Sequence, residues 1–242
     1  MDQLTAAALF SDEAVAEVTS RYPGLTRAGP RSIAGVIDVH AIYLGEEIKD
    51  TFTVKIRADN PHSTYLPALY ETGKRTASIA RSWKIRDLRD LHHNTDGTAC
   101  VCVRQEERQH FPEGSGLLSF VEALAVPYLC GLHRFERDGR WPGGDYSHGS
   151  VGLLEYYAEP TQPLSYEEAI MVFETIRREV AWRDYYKQVR RPSPERRCLC
   201  GSGKPFNRCH PVAWQGVLNL RRELERLRLS LRDPLASAKA AL

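Results

Sequence analysis

Near its carboxy end the 242-residue chain reads Cys198-Leu-Cys200-Gly-Ser-Gly-Lys204, and then Cys209-His210. Three thiols and an imidazole are the donors a tetrahedral zinc ion prefers, and four protein donors leave it no open position. Gly201 and Gly203 let the intervening chain double back, so that both pairs face one point. The expected ligands are therefore Cys198, Cys200, Cys209 and His210, holding a structural Zn2+ with no metal catalysis. A second concentration of reactive side chains is His92-His93-Asn94-Thr95-Asp96-Gly97-Thr98-Ala99-Cys100-Val101-Cys102. A thiolate beside an amide donor suits acyl transfer: sulfur attacks an activated acyl group, the thioester yields to an amine, and the donor steadies the oxyanion. An imidazole can take the proton, and His110, His133 and His148 are further candidates for that task. Cys130, in an apolar helix end, reads as core, and His40, alternating within a strand, reads as surface.

The Cys-x-Cys-Gly-Ser-Gly-Lys run with its Cys-His partner, about residues 197–211, resembles the carboxy-terminal SEC-C zinc motif of the SecA translocation ATPase. That resemblance assigns the same four ligands and implies a docking role. The His92-to-Val101 loop resembles the His-Pro-Asn loop and active-site cysteine of ubiquitin-conjugating enzymes, particularly the divergent bacterial E2-like proteins of CBASS and ubiquitin-like antiphage operons. By that match Cys100 holds a thioester, Asn94 steadies the oxyanion and His92 is the loop histidine. His93 stands where the family has proline, and the loop is two residues shorter than usual, so counting from Asn94 selects Cys102 instead. The implied donor is the carboxyl terminus of a ubiquitin-like protein or of a CD-NTase (cGAS-like) nucleotidyltransferase. No Gly-rich nucleotide loop is present to adenylate it, so either a separate activating enzyme or a pre-activated donor is implied.

Apolar residues make up 42% and charged residues 26% of the sequence, as in ordinary globular proteins. No apolar run is long enough to span a membrane, and no signal-peptide pattern opens the sequence. With clustered thiols this predicts a cytoplasmic protein. The net charge of +2 conceals an asymmetry: residues 177–232 hold fifteen Lys/Arg against five Asp/Glu. A basic tail on an acidic body can meet nucleic acid or an acidic partner, and equally can be a solvated helix face; nucleic acid is not the favoured partner.

The elements that must position these residues begin with a helix capped by Ser11 and ending before Tyr22-Pro23-Gly24. Ile33–Tyr43 reads as a strand, Gly45 as a turn, and Thr51–Arg57 as a strand burying Phe52, Val54 and Ile56. A third strand is expected at Ala68–Glu71. Trp83–Leu91 is ambiguous, and Ala99–Val103 reads as a short buried strand. Leu117, Phe120, Val121 and Leu124 mark a helix over Gly116–Leu129. Ser165 and Glu168 form a capping box before a stripe from Tyr166 to Val180. Arg190–Pro194 reads as a linker. Val217, Leu220, Leu224, Leu227 and Leu231 line a basic helix whose stripe either forms a dimer seam or, as its length of about two heptads favours, folds back on the main domain.

The expected fold is α+β: a ubiquitin-conjugating-enzyme-like antiparallel sheet flanked by helices (1–189), then a linker, zinc knuckle and amphipathic helix (190–242). The expected function is E2-like acyl transfer on Cys100 in antiphage defence. The alternatives are a non-catalytic zinc docking module and a Cys/His hydrolase.

Overall fold

The computed structural model describes residues 8–103, 106–142, 146–147, 149–158, 164–178 and 182–230. The chain divides into two compact units, 1–144 and 145–242. Among the described residues no helix is long and apolar enough to cross a membrane.

The first unit opens with helix α1 (Asp12–Arg21), whose first turn is closed by the Ser11 hydroxyl accepting from the Ala14 amide at 3.2 Å. Four antiparallel strands follow in chain order: β1 (Leu25–Gly29), β2 (Ser32–Tyr43), β3 (Glu46–Arg57) and β4 (Ala68–Glu71). β1 was not foreseen: Leu25 alone in it is buried, so it carries no alternation to read. β2 and β3 pair along their whole length and meet at Leu44-Gly45, where φ is 49° and 79°. Two successive positive φ values make the primed turn whose twist matches a hairpin. The register sets Ile33 opposite Ile56 and Ile37 opposite Phe52, and all four are buried. A slip of one residue would turn this entire row to water.

That row is covered by a long helix, α3, which runs from Leu117–Phe120 through a wide turn (Val121–Ala125) into Val126–Asp138. Leu117, Phe120, Val121 and Leu124 are buried, as their spacing foretold, and Leu129 and Leu132 continue the buried face beyond them. Between β4 and α3 lie helix α2 (Arg75–Trp83), a 3-10 turn (Leu88–Leu91) and one helical turn (Glu107–His110). The ambiguous stretch Trp83–Leu91 is thus a helix end, then a 3-10 turn.

One polar group interrupts the core face. Asp50 of β3 accepts from Arg75 of α2 at 2.7 Å and from the Thr51 amide at 2.7 Å, and lies 2.5 Å from His133 Nδ1 of α3. Burial opposes its ionisation, but these donors prevail and bring its pKa down to about 2.

The second unit is helical: α4 (Gly149–Tyr156), α5 (Tyr166–Arg178), α6 (Trp182–Arg190), a single turn at Phe206–Cys209, and α7 (Pro211–Arg226). The capping box forms as read, with Ser165 N donating to Glu168 and Glu168 N to Ser165 Oγ. Val180 and Leu231 of the two predicted stripes lie outside the described residues. Val217, Leu220 and Leu224 of α7 share a core with Leu154 of α4, Phe173 of α5 and Val189 of α6. The leucine stripe is therefore folded back within its own unit. The compact units do not follow the expected division into 1–189 and 190–242. Residues 149–189 supply helices that α7 needs to cover its stripe, and the expected linker is built in: Asn207 N donates to Pro194 O and Phe206 N to Arg196 O.

Candidate functional site

Two places hold the residues singled out in the sequence, one in each unit. In the first unit, the 3-10 turn ends on His92 in the left-handed region (φ 50°). His92 N and His93 N return to Arg89 O and Leu88 O, and the His92 ring rests on Trp141 with centroids 4.5 Å apart. The chain then closes a tight turn: Asn94 N donates to Thr98 O at 2.8 Å, and Gly97, at φ 88°, supplies the reversal. Asp96 fixes the turn by accepting from Thr98 N and Oγ1 at 3.1 and 2.7 Å, with His62 Nε2 3.1 Å from its other oxygen. Against the penalty of burial, the Thr98 and His62 contacts hold the Asp96 carboxyl below the usual range.

The segment after the turn is not the strand expected at Ala99–Val103. Ala99 N donates to Leu69 O of β4, Cys100 N donates to His92 O at 2.7 Å, and only a single bridge joins His93 to Ala99. Successive amides go to different elements, so no ladder can form, and strand alternation cannot rank the two cysteines. Their surroundings can. Both are half-buried, but burial, and after it the carboxylate of Glu107, pushes the Cys102 thiol up to about 12. A thiol so placed is un-ionised at neutral pH and a poor nucleophile. Cys100 is tied by its own amide to the histidine loop. Its Sγ sits 3.9 Å from Cys102 O.

Asn94 does not bond to Cys100 among the described residues. Its amide nitrogen donates to Thr98 Oγ1 at 3.0 Å, which occupies one of its two N–H groups. Of the candidate bases, His133 is engaged by Asp50, His110 lies 3.4 Å from Glu106, and His148 lies outside the described residues. Cys130 is fully buried, as read, and burial pushes its thiol up to about 11. His40 is exposed and paired with Glu47 at 2.8 Å.

Three participants were not singled out in the sequence. Glu107 is a buried carboxylate accepting from Ser63 at 2.7 Å, hidden in the charged run Arg104-Gln-Glu-Glu-Arg108. Asp96 and Thr98 hold the turn; Asp-Gly followed by threonine is the available turn signal.

In the second unit the four expected ligands converge. One donor atom from each of Cys198, Cys200, Cys209 and His210 can be chosen so that all lie within 4.8 Å of one another. Cys198 Sγ is 3.1 Å from His210 Nδ1, and Cys200 Sγ is 3.7 Å from Cys209 Sγ. The loop between them folds as its glycines suggest, with Gly201 and Gly203 at φ 82° and 76° and Cys198 N donating to Lys204 O at 2.7 Å. Cys209 and His210 are delivered by the short helical turn and the start of α7, anchored by buried Phe206 packing edge-on to Trp214 at 5.9 Å. Burial and neighbouring thiols push Cys198 up to about 12. Such crowded thiols resist ionising together unless a cation neutralises them, and these four residues can hold a metal ion.

Compared with family models, curated proteins and solved structures, the chain matches none.

Proposed function

We propose that the chain is a thioester-forming acyl transferase of the E2-like kind, with Cys100 as nucleophile and a zinc-stiffened second unit as a docking element. The observation that carries this reading is the Cys100 N to His92 O hydrogen bond, 2.7 Å long. It ties the Cys100 main chain to the histidine-asparagine turn, with the Cys100 side chain half-buried, while burial suppresses the neighbouring Cys102 thiol. The meander of four antiparallel strands with a helix before it and a long helix after the cysteine is consistent with the same reading.

In the proposed reaction the Cys100 thiolate attacks an activated carboxyl terminus, forming the C–S bond as the activating group leaves. An amine then attacks the thioester carbonyl, and the oxyanion collapses to an amide, with the thiolate leaving and the amine proton passing to base. The second N–H of Asn94 is the donor assigned to that oxyanion. The donor protein is a ubiquitin-like protein or a CD-NTase-type nucleotidyltransferase, activated by a separate enzyme.

Zinc fits the cluster in the second unit. In a tetrahedral shell with thiolate bonds of about 2.3 Å, sulfurs sit about 3.8 Å apart, and the Cys200–Cys209 pair is at 3.7 Å. Four protein donors leave no site for substrate, so the ion's part is to hold the loop against α7.

The test is the chemistry of the adduct. Co-expressed with its donor and activating enzyme, the wild-type chain should carry a donor adduct that thiol reductant removes. Cys100→Ser should carry an oxyester that resists reductant and yields to hydroxide. Equal labelling of Cys100→Ala and wild type would exclude Cys100. If the double variant at Cys100 and Cys102 still binds its partner and no adduct ever forms, the chain is a docking module.

A further inference from the structure

β2 is only partly covered. β1 pairs with it from Ser32 to Gly35, and the last contact is Val36 N donating to Gly24 O at 2.8 Å. Beyond this point the chain leaves the sheet toward α1. In the β2–β3 hairpin the pair closing the primed turn is Tyr43 with Glu46, so the odd-numbered residues of β2 bond to β3 and the even-numbered ones face the other way. Val36 follows that rule. Asp38, His40 and Ile42 therefore direct their backbone N–H and C=O groups off the sheet, and among the described residues no hydrogen bond reaches those groups. All three residues are exposed, Ile42 by 81%, and Leu44 at the hairpin tip by 61%.

A cleft adjoins this edge. Its volume is about 210 Å3, and it is walled by residues 38–41 of β2, by Arg21 and Tyr22 at the end of α1, and by Glu122 and Val126 of α3. Val39 and Val126 contribute apolar lining, and Arg21 and Glu122, 3.5 Å apart, contribute polar lining. A row of unpaired backbone donors and acceptors spaced two residues apart accepts one kind of partner, another extended backbone. Side chains of an added strand alternate, so those on the α3 side enter the cleft and those on the other side meet Asp38 and His40.

We infer that the open edge of β2 from Asp38 to Ile42 is a docking site for an extended peptide segment of another protein, which adds to the sheet as a fifth strand and places one apolar side chain in the cleft beside Val39 and Val126. A bulky aliphatic or aromatic residue suits the cleft's volume, and a basic residue on the opposite side of the strand suits exposed Asp38. The site needs neither Cys100 nor the metal cluster.

The test uses a phage-displayed library of random linear peptides selected on the full chain, with binding of enriched peptides measured by titration. His40→Pro removes an N–H that points away from β3, so the hairpin ladder is spared, as checked by circular dichroism. Enriched peptides should bear alternating apolar residues, bind His40→Ala about as well as wild type, and lose about tenfold or more on His40→Pro, since main-chain bonds carry the contact. Val126→Trp, which fills the cleft, should also weaken them. Absence of enrichment overturns the inference, as does equal binding to His40→Pro. A dimer that His40→Pro dissociates would give the edge to a second copy and overturn the peptide assignment.

Discussion

Asp50 draws α2 and α3 onto β3 with a single carboxylate. Replacing it with asparagine keeps the shape and removes the charge that Arg75 and His133 contact. The carboxyl lies at about 2 in the folded chain against an ordinary 3.8. At 1.36 kcal/mol per pKa unit the ionised form contributes on the order of 2 kcal/mol at neutral pH. The side chains involved are mostly buried, 17% exposed for Asp50 and 23% for Arg75, so solvent screening removes only part of this. Calorimetry of wild type and Asp50→Asn should show the transition of the first unit lowered by roughly 4–8 °C. The sign with pH is fixed: the folded pKa is depressed, so the contribution is whole above about 4 and disappears as pH falls toward 2. The gap between the two proteins should therefore be present at pH 7 and close in acid. A gap below about 0.5 kcal/mol at pH 7, or one that persists at pH 2, would refute the reasoning.

Three further outcomes follow from the structure. Metal analysis of the purified chain should find about one zinc per chain, and Cys209→Ser should lose most of it; full zinc content in that variant would remove Cys209 from the shell. Chelation should melt the second unit before the first, because metal binding there is folding free energy; a second-unit transition indifferent to chelator would contradict a structural role. Gly216→Ala should destabilise the second unit by about 3 kcal/mol, at the upper end for overpacking, since the added carbon would stand 1.8 Å from Leu154 O of α4; a change under about 1 kcal/mol, read by denaturant titration, would show that the two helices separate easily.

How far these features could be read beforehand depended on whether a residue's neighbours were local. The β2–β3 hairpin was visible because Phe52, Val54 and Ile56 alternate and Gly45 marks the turn. α3 and α5 were visible because their stripes repeat at helical spacing. The metal quartet was legible for the same reason, its donors lying within thirteen residues. α2 was missed: its buried Thr76, Ile79 and Ala80 make a weak stripe, and its N-cap residue Lys74 makes no side-chain bond, the Thr76 amide donating instead to Glu71 of β4 at 2.9 Å. The strand expected at Ala99–Val103 failed because its amides are taken singly by Leu69 and His92, contacts made by tertiary folding that β-propensity does not record. The boundary between units was misplaced for a related reason. Pro192 and Pro194 look like a linker, and only the pairing of α7 with α4 shows that the chain continues one core through them.

Peptide-level mass spectrometry of the wild-type chain recovered with its donor and activating enzyme bears most directly on the proposed chemistry. The donor's carboxyl terminus should be joined to the peptide that contains Cys100, through a bond that mild reductant cleaves. A donor joined to Cys102 or to a lysine, with Cys100 always recovered as the unmodified thiol, would contradict it.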